Sequence, residues 1–170
     1  MRPHDLAVLL KIVSLGGSDW TMKDLAYELG ISASEISESM NRSMIAGLIG
    51  ANKKRVNGLA LFDFLRSGLQ YVFPQQPGPI VRGIPTAHSA PPLKKHIRSD
   101  ESFVWAHPNG NVRGQAIEPL HPKTPDACLL DHNFYELMAL SDAIRAGKAR
   151  ERQMAFDYIK KQIDNYLEIE

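Results

Sequence analysis

The first fifteen residues place apolar side chains at helical spacing. Leu6, Leu9, Leu10 and Val13 recur at steps of three and four residues, as one buried helix face requires. This pattern predicts a helix from Pro3 to Leu15, which the glycine pair that follows should end.

Capping signals predict two further helices. Thr21, with Asp24 three residues later, is a suitable N-cap for a second helix that ends near Leu29. Ser32 and Glu35 have the spacing of a capping box, in which the hydroxyl accepts from an orphan amide and the carboxylate reaches back to the cap amide. A third helix is therefore expected to begin directly after Ser32.

The stretch LAYELGISASEISESM, residues 25–40, has the spacing of a helix-turn-helix. Ala26 is small where the two helices approach, and Gly30 lies in the turn, where a positive φ is commonly required. The apolar residues that would fix the angle between the helices are Leu25, Leu29, Ile31 and Ile36. About residues 5–55 thus resemble the helix-turn-helix of bacterial winged-helix transcriptional regulators, MarR-type proteins among them. The resemblance implies a domain whose third helix enters the major groove of DNA.

The outer side of that third helix, over 33–46, carries the candidate base contacts. They are Ser34, Ser37, Glu38, Asn41 and Arg42. Asparagine suits adenine, arginine suits guanine, serine suits either, and glutamate can accept from the amine of cytosine. This face is weakly charged, so attraction to phosphate should come from neighbouring residues.

Those neighbours follow in the sequence. Leu48 and Ile49 can form a short strand, and Lys53, Lys54 and Arg55 are candidate phosphate contacts in the loop after it. A fourth helix is predicted over 57–69, with a core side made of Leu59, Leu61, Phe62, Leu65 and Leu69.

A wing would normally start at residue 48, but the predicted helix displaces it. Residues 71–73 and 80–84, on either side of the turn PQQPGP, predict a β-hairpin. We interpret it as a delayed wing that carries Arg82 as a further DNA contact. The alternative is a hairpin that packs on the core and exposes only its turn.

Ten of the eleven prolines lie between Pro74 and Pro125, which disfavours long helices there. The segment IPTAHSAPPLKKHIRSDE should be extended, either on the surface or wrapped over the core. Residues 103–105 and 112–117, around Asn109-Gly110, are predicted to pair as strands, with Trp105 as a packing anchor.

Helical spacing returns near the end of the chain. One helix is predicted over 125–146, broken by Gly147, and a last one over 148–167. The apolar stripe of the last helix is either core or a dimer seam. The expected fold is α+β and mainly helical: a winged helix-turn-helix in residues 1–84, a proline-rich extended segment packed on it in 85–125, and C-terminal helices in 126–170 that could form a dimer.

Charge is unevenly distributed beneath a formal net charge of +1. Residues 39–99 hold nine Lys or Arg and one Asp, a balance of +8, whereas the segments before and after are acidic. A basic segment of this kind favours a phosphate-binding surface. The alternative is a basic surface that pairs with the acidic tail of its own chain or of a partner subunit.

The sequence offers no catalytic motif. The six histidines lack metal-ligand spacing, the single cysteine, Cys128, has no base beside it, and no phosphate-binding glycine loop occurs. We therefore expect no enzyme activity, no metal and no cofactor, and a cytoplasmic protein without a membrane-spanning segment.

Two functions remain. The first is a sequence-specific DNA-binding transcriptional regulator, a repressor, that binds double-stranded DNA as a homodimer. The second is a protein-interaction module on a winged-helix scaffold, such as an adaptor or an antitoxin-like partner of another protein.

Overall fold

The computed structural model describes residues 1–169 of an α+β, mainly helical protein. The helices are α1 Pro3–Leu15, α2 Met22–Leu29, α3 Ala33–Ile45, α4 Gly58–Ser67, α5 Leu69–Val72, α6 Thr124–Leu130, α7 His132–Ala146 and α8 Ala149–Glu168. The strands are β1 Ile80–Pro85, β2 Phe103–Ala106 and β3 Val112–Ala116. Within the described chain no helix is both long and apolar enough to cross a membrane.

The first three helices follow their local signals. Thr21 caps α2, because its hydroxyl accepts from the Asp24 amide at 3.1 Å while the Asp24 carboxylate accepts from the Thr21 amide at 2.8 Å. Gly30 ends α2 in the left-handed conformation, with φ of 65°, as expected for the turn. Ser32 caps α3 by accepting from the Glu35 amide at 3.3 Å.

The predicted contact of the Glu35 carboxylate with the cap amide of α3 is wrong. The Glu35 carboxylate lies 3.1 Å from Nε2 of His4, on α1, instead of reaching back to the cap amide. Residue 4 is adjacent in space but remote in sequence, so the local pattern could not reveal this competing partner.

The prediction of a delayed wing is also wrong. Residues Leu69–Val72 form the short helix α5, and β1 pairs with β2 and β3 instead of with residues 71–73. A minimal hairpin occurs instead directly after α3, where Ile49 pairs with Val56 in antiparallel fashion. We call residues 49–56 the 49–56 hairpin.

The fourth helix is shorter than predicted, and its buried side chains differ from the predicted set. Asn57 caps α4, whose buried residues include Leu61 and Leu65, whereas Leu59 is 71% exposed. Leu69 is buried too, but it lies beyond the break at Gly68.

The strands β2 and β3 do not form a simple hairpin with each other. Each pairs antiparallel with β1, and they run parallel to each other where Phe103 lies beside Gln115. A Cβ at Gly83 would lie 1.9 Å from the Trp105 carbonyl oxygen, so glycine is required at this crossing.

The proline-rich segment wraps over the core, which was one of the two alternatives. Thr86, Ala90 and Leu93 are fully buried, and two 3-10 turns cover residues 87–89 and 93–95. Trp105 is an anchor as expected, and its Nε1 donates to buried Asp142 at 2.7 Å.

The helix predicted over 125–146 is divided in two. Asp131 leaves the helical conformation and caps α7 by accepting from the Phe134 amide at 3.0 Å. Leu130, placed by the pattern in the core, is 88% exposed. The stripe on α8 is core: Ala155, Ile159 and Ile163 are buried, and α8 packs against α4 and α7.

Candidate nucleic-acid interface

The outer face of α3 is available to a partner. Ser34, Glu38 and Asn41 are exposed and Ser37 is half-buried, while Ile36 and Met40 on the opposite side have no exposed surface. The apolar side therefore packs against the α1 and α2 helices, and the polar side faces solvent.

Arg42 does not point freely from this face. Its Nε and Nη2 donate to the two carboxylate oxygens of Asp5 at 2.9 and 2.8 Å, and Asp5 is fully buried. Burial alone would raise the pKa of Asp5, but hydrogen bonds from the Arg42 guanidinium and the Arg2 amide lower it below its ordinary value. The pair fixes α3 on α1.

The 49–56 hairpin places Lys53 beside α3 and Lys54 beside Trp20. Lys53 Nζ donates to Oδ1 of Asn41, and the Lys53 backbone is left-handed, with φ of 56°. Lys54 Nζ donates to the Trp20 carbonyl at 3.3 Å and lies 4.8 Å from the centre of the Trp20 ring. Lys53 is thus held at the exposed side of α3, whereas Lys54 lies against the loop before α2.

Arg55 points toward the end of α8. Its guanidinium donates to the carbonyls of Leu167 and Ile169 at 3.3 and 3.2 Å and lies 5.5 Å from the centre of the Tyr166 ring. The Tyr166 hydroxyl accepts from the buried Val56 amide at 3.0 Å. The end of α8 therefore supports the base of the hairpin.

Arg82 lies exposed on β1, directly opposite exposed Arg113 on β3. Within residues 1–169 neither guanidinium has a hydrogen-bond or ion-pair partner. Like charges in this arrangement repel each other and attract an anion. Sequence reasoning missed Arg113, because its position opposite Arg82 depends on a strand register that no local signal gives.

Contacts connect this arginine pair to the start of α3. The His107 amide donates to the Arg82 carbonyl at 3.2 Å, and His107 Nε2 lies 2.6 Å from Oδ1 of Asp126, at the start of α6. The side chain of Lys123, just before α6, packs on Gly30 at the turn before α3. Lys123 is a second cation that the sequence analysis did not select.

The geometry thus separates the predicted residues. It brings Asn41 and Lys53 into contact at the exposed side of α3, it places Lys54 against Trp20, and it turns Arg42 and Arg55 toward other parts of the chain. Comparisons of the chain with protein-family models, with curated proteins and with solved structures find no match.

Proposed function

We propose that the protein is a sequence-specific DNA-binding transcriptional regulator that inserts α3 into the major groove. The observation that carries the proposal is the contact between Lys53 and Asn41, which holds a hairpin cation on the exposed face of a well-packed helix. A polar helix face with adjacent lysines suits base edges and phosphates, respectively.

The roles follow from the chemistry of each group. Ser34, Ser37 and Asn41 contact base edges, and Glu38 accepts from a cytosine amine. Lys53 and Lys54 neutralise phosphates next to the groove. In this scheme Arg42 acts as a positioning residue through Asp5.

The arginine pair supplies a second phosphate contact. Arg82 and Arg113 lie on the sheet that His107 and Asp126 connect to the start of α6, near the turn before α3. In this proposal the backbone of the same duplex contacts the pair through its phosphates. The proposal retains Arg82 as a DNA contact, although it lies on a sheet and not on a wing.

The proposed regulator is a dimeric repressor that binds two half-sites about one helical turn apart. Its dimer contact lies outside the apolar stripe of α8, because that stripe is buried within the chain. Light scattering on the free protein and footprinting of the complex test this part: a dimer protects two half-sites, whereas a monomer with one protected site contradicts it.

Fluorescence anisotropy with DNA from upstream of its own gene tests the main proposal. Lys53→Ala with Lys54→Ala should weaken binding and lower the salt dependence of log K by about 0.9 per lost phosphate contact. Lys160→Ala with Lys161→Ala removes the same charge from α8 and is the matched control. Equal losses in both double variants, or no specific binding by the wild type, would contradict the proposal.

The second candidate function, a protein-interaction module, is favoured by a different surface. A cleft of about 740 Å³ is lined by Tyr27 on α2 and Leu130 on α6, which are 89% and 88% exposed. Exposed apolar side chains beside a cleft are typical of protein-binding sites. A photo-crosslinking residue at position 130 should capture one partner in cells that a residue at Asp157, exposed on α8, does not capture.

A further inference from the structure

A second cleft, of about 340 Å³, lies at the start of α8. It is lined by His88, from the proline-rich segment, by Phe103 on β2, and by Lys148 and Glu151 at the beginning of α8. The proposed DNA contacts use none of these residues. The cleft is therefore a separate candidate site.

The tautomer of His88 is fixed by its surroundings. Its Nε2 lies 2.8 Å from the Glu101 carbonyl oxygen, which can only accept, so Nε2 carries the proton. In the neutral ring Nδ1 is then an acceptor. The side chain is only 6% exposed, and Nδ1 makes no hydrogen bond within residues 1–169.

Glu151 presents a second acceptor to the same space. Its Oε2 accepts from the Lys148 amide at 2.7 Å and so caps α8, while Oε1 lies 4.0 Å from Nδ1 of His88. The Glu151 side chain is 9% exposed. Two buried acceptors that face each other are unfavourable unless a donor lies between them, and a buried carboxylate also favours a positive charge nearby.

We propose that this cleft binds the ammonium group of a small primary amine between His88 Nδ1 and Glu151 Oε1. A nitrogen that lies to one side of the line joining these two atoms, which are 4.0 Å apart, can be about 2.8 Å from both. An ammonium group supplies the donors and the positive charge that the two acceptors lack. The Phe103 ring, 4.7 Å from the His88 ring, holds the imidazole in place.

The adjoining cleft carries charges of both signs. Lys148 and Arg98 line this cleft of about 560 Å³ together with Asp100 and Glu101. Because the two cations and the two carboxylates balance, this cleft selects no further charged group on the amine. A simple alkylamine therefore satisfies the site, and an amino acid gains nothing from its carboxylate.

The test follows the His88 ring nitrogens and the amides of residues 148–151 by NMR, with ethylammonium, glycine and acetate as probes. Ethylammonium and glycine should each give saturable chemical-shift changes, and acetate should give none. Glu151→Gln should abolish the shifts, because the amide keeps the helix cap but not the charge. Glu118→Gln, on an exposed loop, is the matched control.

Three outcomes would overturn the inference. They are no saturation by either amine up to about 50 mM, unchanged shifts in Glu151→Gln, and the same response to acetate. If the variant does not fold, the wild-type comparison of ethylammonium with acetate decides alone. DNA binding is measured separately, so failure of this site leaves the proposed function unaffected.

Discussion

Arg42 on α3 and Asp5 on α1 are joined by two hydrogen bonds of 2.9 and 2.8 Å, and the carboxylate is fully buried. The Arg42 side chain is 24% exposed, so it remains in contact with water. Removal of Arg42 therefore leaves a buried charge, whereas removal of Asp5 leaves a charge that reaches water. The two variants should differ in their free energy of unfolding.

Arg42→Ala should lower the free energy of unfolding by about 3 kcal/mol, because it leaves a buried carboxylate without its partner. Asp5→Asn should cost less, about 1 kcal/mol, since the remaining guanidinium reaches water. Urea unfolding of both variants gives the comparison. A larger loss of unfolding free energy in Asp5→Asn than in Arg42→Ala would contradict this order.

The same pair predicts acid sensitivity. The pKa of Asp5 is lowered in the folded protein by its hydrogen bonds with Arg42 and Arg2, which outweigh burial. Its contribution to stability is therefore complete above the unfolded pKa of about 3.9 and is lost as the pH falls through the lower folded value. In this window the unfolded chain binds more protons, so stability rises with pH. Urea unfolding of Asp5→Asn should show a weaker pH dependence, and an unchanged dependence would exclude Asp5 as the cause.

Tyr166→Phe should loosen the 49–56 hairpin. The change keeps the ring but leaves the buried Val56 amide without its acceptor, at a cost of about 1–3 kcal/mol. Hydrogen exchange at Val56 should accelerate accordingly. Tyr158→Phe removes a hydroxyl whose partner, His96, is exposed, and serves as the control. Equal exchange rates at Val56 in the two variants would contradict the support of the hairpin by α8.

The arginine pair predicts an effect of opposite sign. Arg113→Gln should raise the free energy of unfolding by about 0.5 kcal/mol at low salt, because it removes a like charge opposite Arg82. The gain should disappear at high salt, where exposed charges are screened. The same variant should weaken DNA binding. A stability gain that is independent of salt would point to a cause other than repulsion.

The sequence predicted correctly those helix ends that are set by neighbouring side chains. The bounds of α1 and α2 and the caps of α2 and α3 follow from side chains within four residues of each helix end. The partners of β1 could not be predicted, because its pairing with β2 and β3 joins segments that are far apart in the sequence.

The break between α6 and α7 at Asp131 also depends on a contact between distant segments. Its carboxylate caps α7 and also accepts from Lys11 Nζ at 2.6 Å, although Lys11 lies on α1. Capping is visible in the sequence, but a buried lysine 120 residues away is not. The candidate site divides likewise: the exposure of Asn41 could be predicted, whereas its contact with Lys53 and the capture of Arg42 by Asp5 required the fold.

Both ends of the described chain lie beside the proposed DNA-binding surface. Arg2 Nη1 is 4.0 Å from Glu35 on α3, and the Ile169 carbonyl accepts from Arg55 of the 49–56 hairpin. An affinity tag at either end would consequently sit next to the residues whose binding it is used to measure. Titrations should therefore use protein from which the tag has been cleaved, with the fluorophore on the DNA.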